Sequence, residues 1–108
     1  MGGAQDRRLA RFRQLVEVNM AAHRDLDFYA KGLGTTVRTL TRLTREHLGA
    51  SPQMLINRRL ALEAQRLLRF TNASVTQVAG ELGFADPSYF SRFYLRMTGR
   101  RPQADKNG

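Results

Sequence analysis

The chain repeats one pattern at a spacing of about fifty residues, and this repeat constrains the fold more than any other feature. Tyr29-Ala30-Lys31-Gly32-Leu33-Gly34 returns 49 positions later as Val78-Ala79-Gly80-Glu81-Leu82-Gly83. Leu40-Thr41-Arg42-Leu43 returns at an offset of 50 as Phe90-Ser91-Arg92-Phe93, and Gly49-Ala50-Ser51-Pro52 returns as Gly99-Arg100-Arg101-Pro102. The offset grows by one, so the second copy has one extra residue in its turn. Each copy predicts a short helix, a tight turn through Gly, and a second helix with an Arg two residues after an apolar anchor. That is the outline of a helix-turn-helix.

The segments between these landmarks also predict helices. Leu9, Phe12, Val16 and Met20 make one apolar stripe, which places a first helix at 7–22. Short and long helices are then expected over 26–33, with Asp25 as a candidate N-cap, and over 37–48, capped by Thr35 or Thr36 and stopped by Gly49. In the latter, Leu40, Leu43 and His47 share the face expected to be buried. Ser51-Pro52 opens a helix reaching about residue 69, with Ile56, Leu60, Ala64 and Leu67 inward. Ser74-Val75-Thr76-Gln77 is a capping box for a helix over 75–82, and Asp86-Pro87 opens another over 87–98 with Phe90, Phe93, Tyr94 and Met97 as its core face. No strand pattern of useful length is present. The expectation is an all-α chain of six to seven helices: a helix-turn-helix subdomain at 7–50, a linker helix at 51–70, a second helix-turn-helix subdomain at 71–102, and a frayed tail at 103–108.

The net charge is +9, from 18 basic residues, 16 of them Arg, against 9 acidic ones. A polyanionic partner is the simplest explanation. There is no Cys, and His23 and His47 stand 24 residues apart without a ligand cluster. No metal and no cofactor is therefore expected. Nor does a His–carboxylate pair or Gly-rich phosphate loop point to an enzyme. The polar start, without a signal peptide or an apolar run long enough to span a bilayer, leads to the expectation of a cytoplasmic protein with no membrane partner.

Within a helix-turn-helix, a small residue in the first helix lets the second cross closely; Ala30 and Ala79 hold that place. Gly34 and Gly83 can take the positive φ of the turn. The exposed N-terminal half of the second helix is then free to enter a major groove. The candidate DNA-binding residues are Arg38, Thr41, Arg42 and Arg45 in the first copy and Ser88, Tyr89, Ser91, Arg92 and Arg96 in the second. Arg42 and Arg92 suit guanine O6/N7 or a flanking phosphate, while the hydroxyls suit base edges or phosphate oxygens. A linker helix of about 18 residues spans roughly 27 Å, compatible with recognition helices one turn of B-DNA apart. One chain is then expected to read two successive major grooves without a palindrome. Arg58, Arg59, Arg66 and Arg69 are expected to form a solvated face. A protein-interaction module that keeps this geometry without reading bases is the alternative.

The stretches Arg59-Leu60-Ala61-Leu62-Glu63-Ala64-Gln65-Arg66-Leu67-Leu68, Val75-Thr76-Gln77-Val78-Ala79-Gly80-Glu81-Leu82-Gly83-Phe84 and Asp86-Pro87-Ser88-Tyr89-Phe90-Ser91-Arg92-Phe93, followed by Gly99 and Pro102, resemble the C-terminal DNA-binding domain of AraC/XylS transcription regulators. The resemblance covers roughly residues 8–102 and is most specific over 59–99. It implies two subdomains bridged by a long helix, and sequence-specific binding to double-stranded promoter DNA, usually for activation. It implies the residues at 38, 41, 42, 88, 91 and 92 as those facing DNA, and RNA polymerase as a further candidate partner. Such proteins usually carry a separate effector or dimerisation domain, so the chain is expected to be the DNA-binding part of a longer regulator or a stand-alone member. One departure stands out. After Gly-x-x-Pro the family continues with two residues, an aromatic and an Arg, where this chain has Gln103, Ala104, Asp105 and Lys106.

Overall fold

A computed structural model describes residues 3–106, with side chains described from residue 7. Among the described residues seven helices follow in order: α1 Gly3–Asn19, α2 Leu26–Gly32, α3 Val37–Leu48, α4 Pro52–Phe70, α5 Val75–Glu81, α6 Pro87–Thr98 and α7 Pro102–Asp105. Among the described residues there is no strand. The chain divides into two compact units, 1–56 and 57–108, whose boundary falls within the sequence of α4.

Local chemistry explains the element bounds. The Thr36 hydroxyl accepts from the Thr39 backbone N–H at 3.1 Å and opens α3. Ser74 and Gln77 close the expected capping box, Gln77 N–H donating to Ser74 Oγ at 3.0 Å and Ser74 N–H to Gln77 Oε1 at 2.7 Å. The Asp86 carboxylate accepts from Ser88 N–H at 2.9 Å, with Pro87 at the first helical position of α6. Gly49 and Gly99 end α3 and α6 in the left-handed conformation. Asp25 has the extended backbone of an N-cap but its side chain makes no capping bond to α2.

In the first unit α1 packs against α2 and α3. Leu9, Phe12, Val16 and Met20 are all buried, as their spacing requires, together with Tyr29, Ala30, Leu40, Leu43 and Thr44. The Phe12 and Tyr29 rings meet edge-to-face at 5.8 Å, and the Tyr29 hydroxyl donates to the His23 carbonyl at 2.8 Å. Burial, helped by the Asp25 charge, pushes the Tyr29 phenol up to about 12. The first helix ends at Asn19 rather than at 22. There Ala22 N–H turns back to the Asn19 carbonyl and the Asn19 amide donates to the Leu15 carbonyl, closing the helix while the apolar stripe still continues to Met20.

His47 differs from expectation, for it is exposed. Helical period alone turns it toward the Leu40–Leu43 face, but Arg45, Glu46 and His47 are all exposed, and the polar residue that is buried is Thr44, whose hydroxyl donates to the Thr41 carbonyl at 3.2 Å. In α4 the inward residue near the end is Leu68, with Leu67 only half-buried. Met97 at the end of α6 is half-buried too.

The second unit buries Leu60, Ala61, Ala64 and Leu68 of α4, Val78 and Ala79 of α5, and Phe90, Phe93 and Tyr94 of α6. Phe84, from the turn, lies 5.1 Å from both Phe90 and Phe93. Full burial of each such ring contributes about 2–3 kcal/mol.

The expected frayed tail is corrected for residues 103–105, which belong to α7; residues 107–108 lie outside the described residues. The reason is Asp105. Its side chain is only 1% exposed and accepts from Arg69 at 3.0 Å and Arg100 at 2.9 Å, and from the Tyr94 hydroxyl. Burial alone raises the carboxyl, but these three hydrogen bonds outweigh it and hold Asp105 down at about 2. Desolvation, then the bond to Asp105, pushes the Tyr94 phenol well above its usual range. The segment is thus held by a buried carboxylate with paired partners.

Candidate nucleic-acid interface

Each unit presents one helix-turn-helix built in the same way. Ala30 of α2 and Ala79 of α5, the small residues of the two first helices, are both buried. The turns close with matching bonds: Thr35 N–H to the Ala30 carbonyl at 2.9 Å and Gly34 N–H to Lys31 at 3.0 Å, then Phe84 N–H to Ala79 at 2.8 Å and Gly83 N–H to Gly80 at 3.1 Å. This is a Schellman arrangement, which needs a left-handed residue in its centre. Gly34 and Gly83 supply it at φ 66° and 83°. The two turns therefore aim α3 and α6 by the same backbone device, although their side chains differ.

On α3 the buried side is Leu40, Leu43 and Thr44, and the solvent side carries Arg38, Arg42 and Arg45, all exposed, with Thr41 half-buried between them. Arg42 Nη1 lies 3.6 Å from Glu46 Oε2, both side chains more than half exposed. On α6 the buried side is Phe90, Phe93 and Tyr94. Ser88, Tyr89, Arg92 and Arg96 are exposed and Ser91 is half-buried. Tyr89 keeps its ring 5.6 Å from Phe84 while remaining 46% exposed, and the Arg96 guanidinium lies 5.8 Å from the Phe93 ring centre. Each helix thus brings its candidate residues to an outward face anchored by a packed inner one. Such a face can offer charge-assisted donors to phosphates and planar Arg forks to guanine.

Two polar residues beside these helices have roles that the sequence pattern does not show. Glu46 sits beside Arg42 on α3, and only the i, i+4 spacing could have signalled it. Asp105 fixes the segment after α6; it looked like an ordinary tail acid because its partners lie 36, 11 and 5 residues away. The arginines of α4 are less free than a plain solvated face. Arg66 and Arg59 flank Glu63 at 2.6 and 3.6 Å, and the hydrogen bond from Arg66 holds the Glu63 carboxyl below its usual range despite partial burial. Among the described residues no group of His, Cys, Asp or Glu could hold a metal ion, and no helix is long and apolar enough to cross a membrane.

The chain matches the model of a helix-turn-helix domain family over residues 29–107. It is 32% identical over 103 residues to the HTH-type transcriptional activator RhaS of Enterobacter sp. (strain 638), covering 95% of this chain and 37% of that protein. It is 38% identical over 73 residues to RhaS of Escherichia fergusonii, covering 68% of this chain and 26% of that protein. The chain therefore spans about a third of the length of these curated relatives. Among solved structures it superposes on the DNA-binding domain of AdpA, a global transcriptional factor crystallised with a target DNA, with a TM-score of 0.77, 28% identity, and coverage of 93% of this chain and 86% of that one. The C-terminal domain of the response regulator yesN from Fusobacterium nucleatum shares the fold, with a TM-score of 0.82 at 17% identity, covering 91% and 96% of the two chains.

Proposed function

The chain belongs to the helix-turn-helix family of AraC/XylS-type DNA-binding domains, and from that premise we propose that it binds double-stranded promoter DNA sequence-specifically and serves as a transcription activator. The observation that carries this reading is the recurrence of Arg42 and Arg92 at equivalent exposed positions, each beside an apolar anchor buried at 40 or 90. Arg38, Thr41 and Arg45 act with Arg42 from α3. Ser88, Tyr89, Ser91 and Arg96 act with Arg92 from α6. Phosphate contacts supply affinity and register, and the base-facing side chains supply sequence choice. The two helices read two unlike half-sites in successive major grooves. The relative RhaS is named an activator and the AdpA domain was crystallised with its target, which supports the same role here. RNA polymerase and a separate effector domain are the further partners such a role calls for.

The test is a fluorescence-anisotropy titration of the chain with a cognate and a random duplex. Arg42→Ala and Arg92→Ala are each expected to weaken cognate binding by about 1–3 kcal/mol and to relax preference at one base pair. Equal losses on both duplexes make them phosphate contacts only. Unchanged binding on both removes α3 and α6 from the interface and favours a protein-interaction module.

A further inference from the structure

We propose that Glu46 is a specificity-determining residue of α3, acting on DNA choice through Arg42; the proposal rests on the DNA-binding function above and deepens it. At the repeat offset of 50, Arg42 corresponds to Arg92, but Glu46 stands where α6 carries Arg96. The two helices therefore share one exposed Arg and oppose each other in charge one turn later. Arg96 lies against the Phe93 ring, whereas Glu46 reaches toward the Arg42 guanidinium at 3.6 Å.

Helix energetics do not account for Glu46. It sits in the last turn of α3, where a carboxylate opposes the helix dipole. Arg preceding Glu at i, i+4 is the less favourable order of that pair. With both side chains more than half exposed, the ion pair itself adds little stability. A carboxylate on this face is also repelled by phosphate. Its charge therefore penalises any duplex that offers only backbone, while its carboxylate, within ion-pair range of Arg42, biases where that guanidinium fork points. A duplex with a guanine edge at the matching position satisfies the oriented fork; a random duplex meets the repulsion without that gain. Glu46 is a positioning residue for Arg42 and a filter against generic DNA. Its removal should make the first helix behave more like the second.

The experiment compares binding of wild type, Glu46→Gln, Glu46→Asp, Arg42→Ala and the Arg42→Ala/Glu46→Gln double variant. The probes are the duplex enriched by wild type in vitro and a random duplex of equal length. Glu46→Gln is expected to raise random-duplex affinity about three- to tenfold and enriched-duplex affinity less than twofold, lowering discrimination at least about threefold. Glu46→Asp, which keeps the charge, should leave random-duplex affinity within twofold of wild type. In the Arg42→Ala background Glu46→Gln should leave base preference unchanged. An equal rise on both duplexes, or no rise on either, overturns the proposal, as does an effect on base preference that survives without Arg42. Failure of wild type to enrich any duplex overturns the DNA-binding function itself, and this proposal with it.

Discussion

Replacing Asp105 with Asn tests how the second unit is closed. Its carboxyl falls from an ordinary 3.8 to about 2 because Tyr94, Arg69 and Arg100 donate to the charged form and outweigh the burial that opposes it. At 1.36 kcal/mol per pH unit, that fall corresponds to about 2 kcal/mol of stability. The group is depressed in the folded state, so this stability is fully present above the unfolded value near 4. It disappears as pH falls toward 2. Asp105→Asn should lose most of it at neutral pH, lowering the thermal midpoint by about 15 °C for a unit of this size. Tyr94→Phe removes one donor without changing charge and should cost about half as much. The assay is thermal unfolding followed by circular dichroism from pH 7 to pH 2. The wild-type advantage over Asp105→Asn should hold constant down to about pH 4, then shrink and vanish near pH 2. Other carboxylates titrate alike in both proteins and cancel in the difference. An unchanged midpoint at pH 7, or a gap undiminished at pH 2, refutes the assignment.

Gly34→Ala meets open space, so its cost is backbone strain alone at φ 66°; it should destabilise the first unit by about 1–2 kcal/mol, measured as a lower urea midpoint with an unchanged slope. Ala79→Leu places a larger side chain at a fully buried position of α5. It should cost about 1–3 kcal/mol by overpacking, and hydrogen exchange should speed up at the backbone of α5 and α6 before that of α1. Cognate-duplex affinity should fall steeply and log-linearly between 50 and 200 mM salt if several Arg–phosphate contacts form, with a slope near −0.9 per contact; a flat dependence excludes a nucleic-acid partner.

Helices with chemical end signals were legible from sequence. Thr36 and Gly49 bracket α3, Ser74 and Gln77 open α5, and Asp86-Pro87 with Gly99 bracket α6, since each end is set by a hydrogen bond or a φ value available within three residues. Periodicity placed the core stripe of α1 and the aromatic face of α6. It failed where burial depends on what covers a face. His47 has the right angle but is exposed, and Asp25 holds the cap position without making the bond. Asp105 was illegible for a further reason. A lone acid after Gly-x-x-Pro reads as solvated until tertiary packing brings Arg69, Tyr94 and Arg100 around it. The exposed arginines of the candidate interface were legible because charge on the outer side of an amphipathic helix needs no tertiary knowledge. The Arg42–Glu46 pairing and its contrast with Arg96 emerge only when the two helices are compared residue by residue.

In vitro selection from a random duplex pool, using the isolated chain, shows whether α3 and α6 each read their own box. Two short, unlike boxes separated by about one helical turn, roughly 10 bp, are expected to be enriched, with Arg42→Ala erasing preference in one box and Arg92→Ala in the other. A pool that stays random after repeated rounds, or a single box indifferent to both substitutions, contradicts this two-box reading.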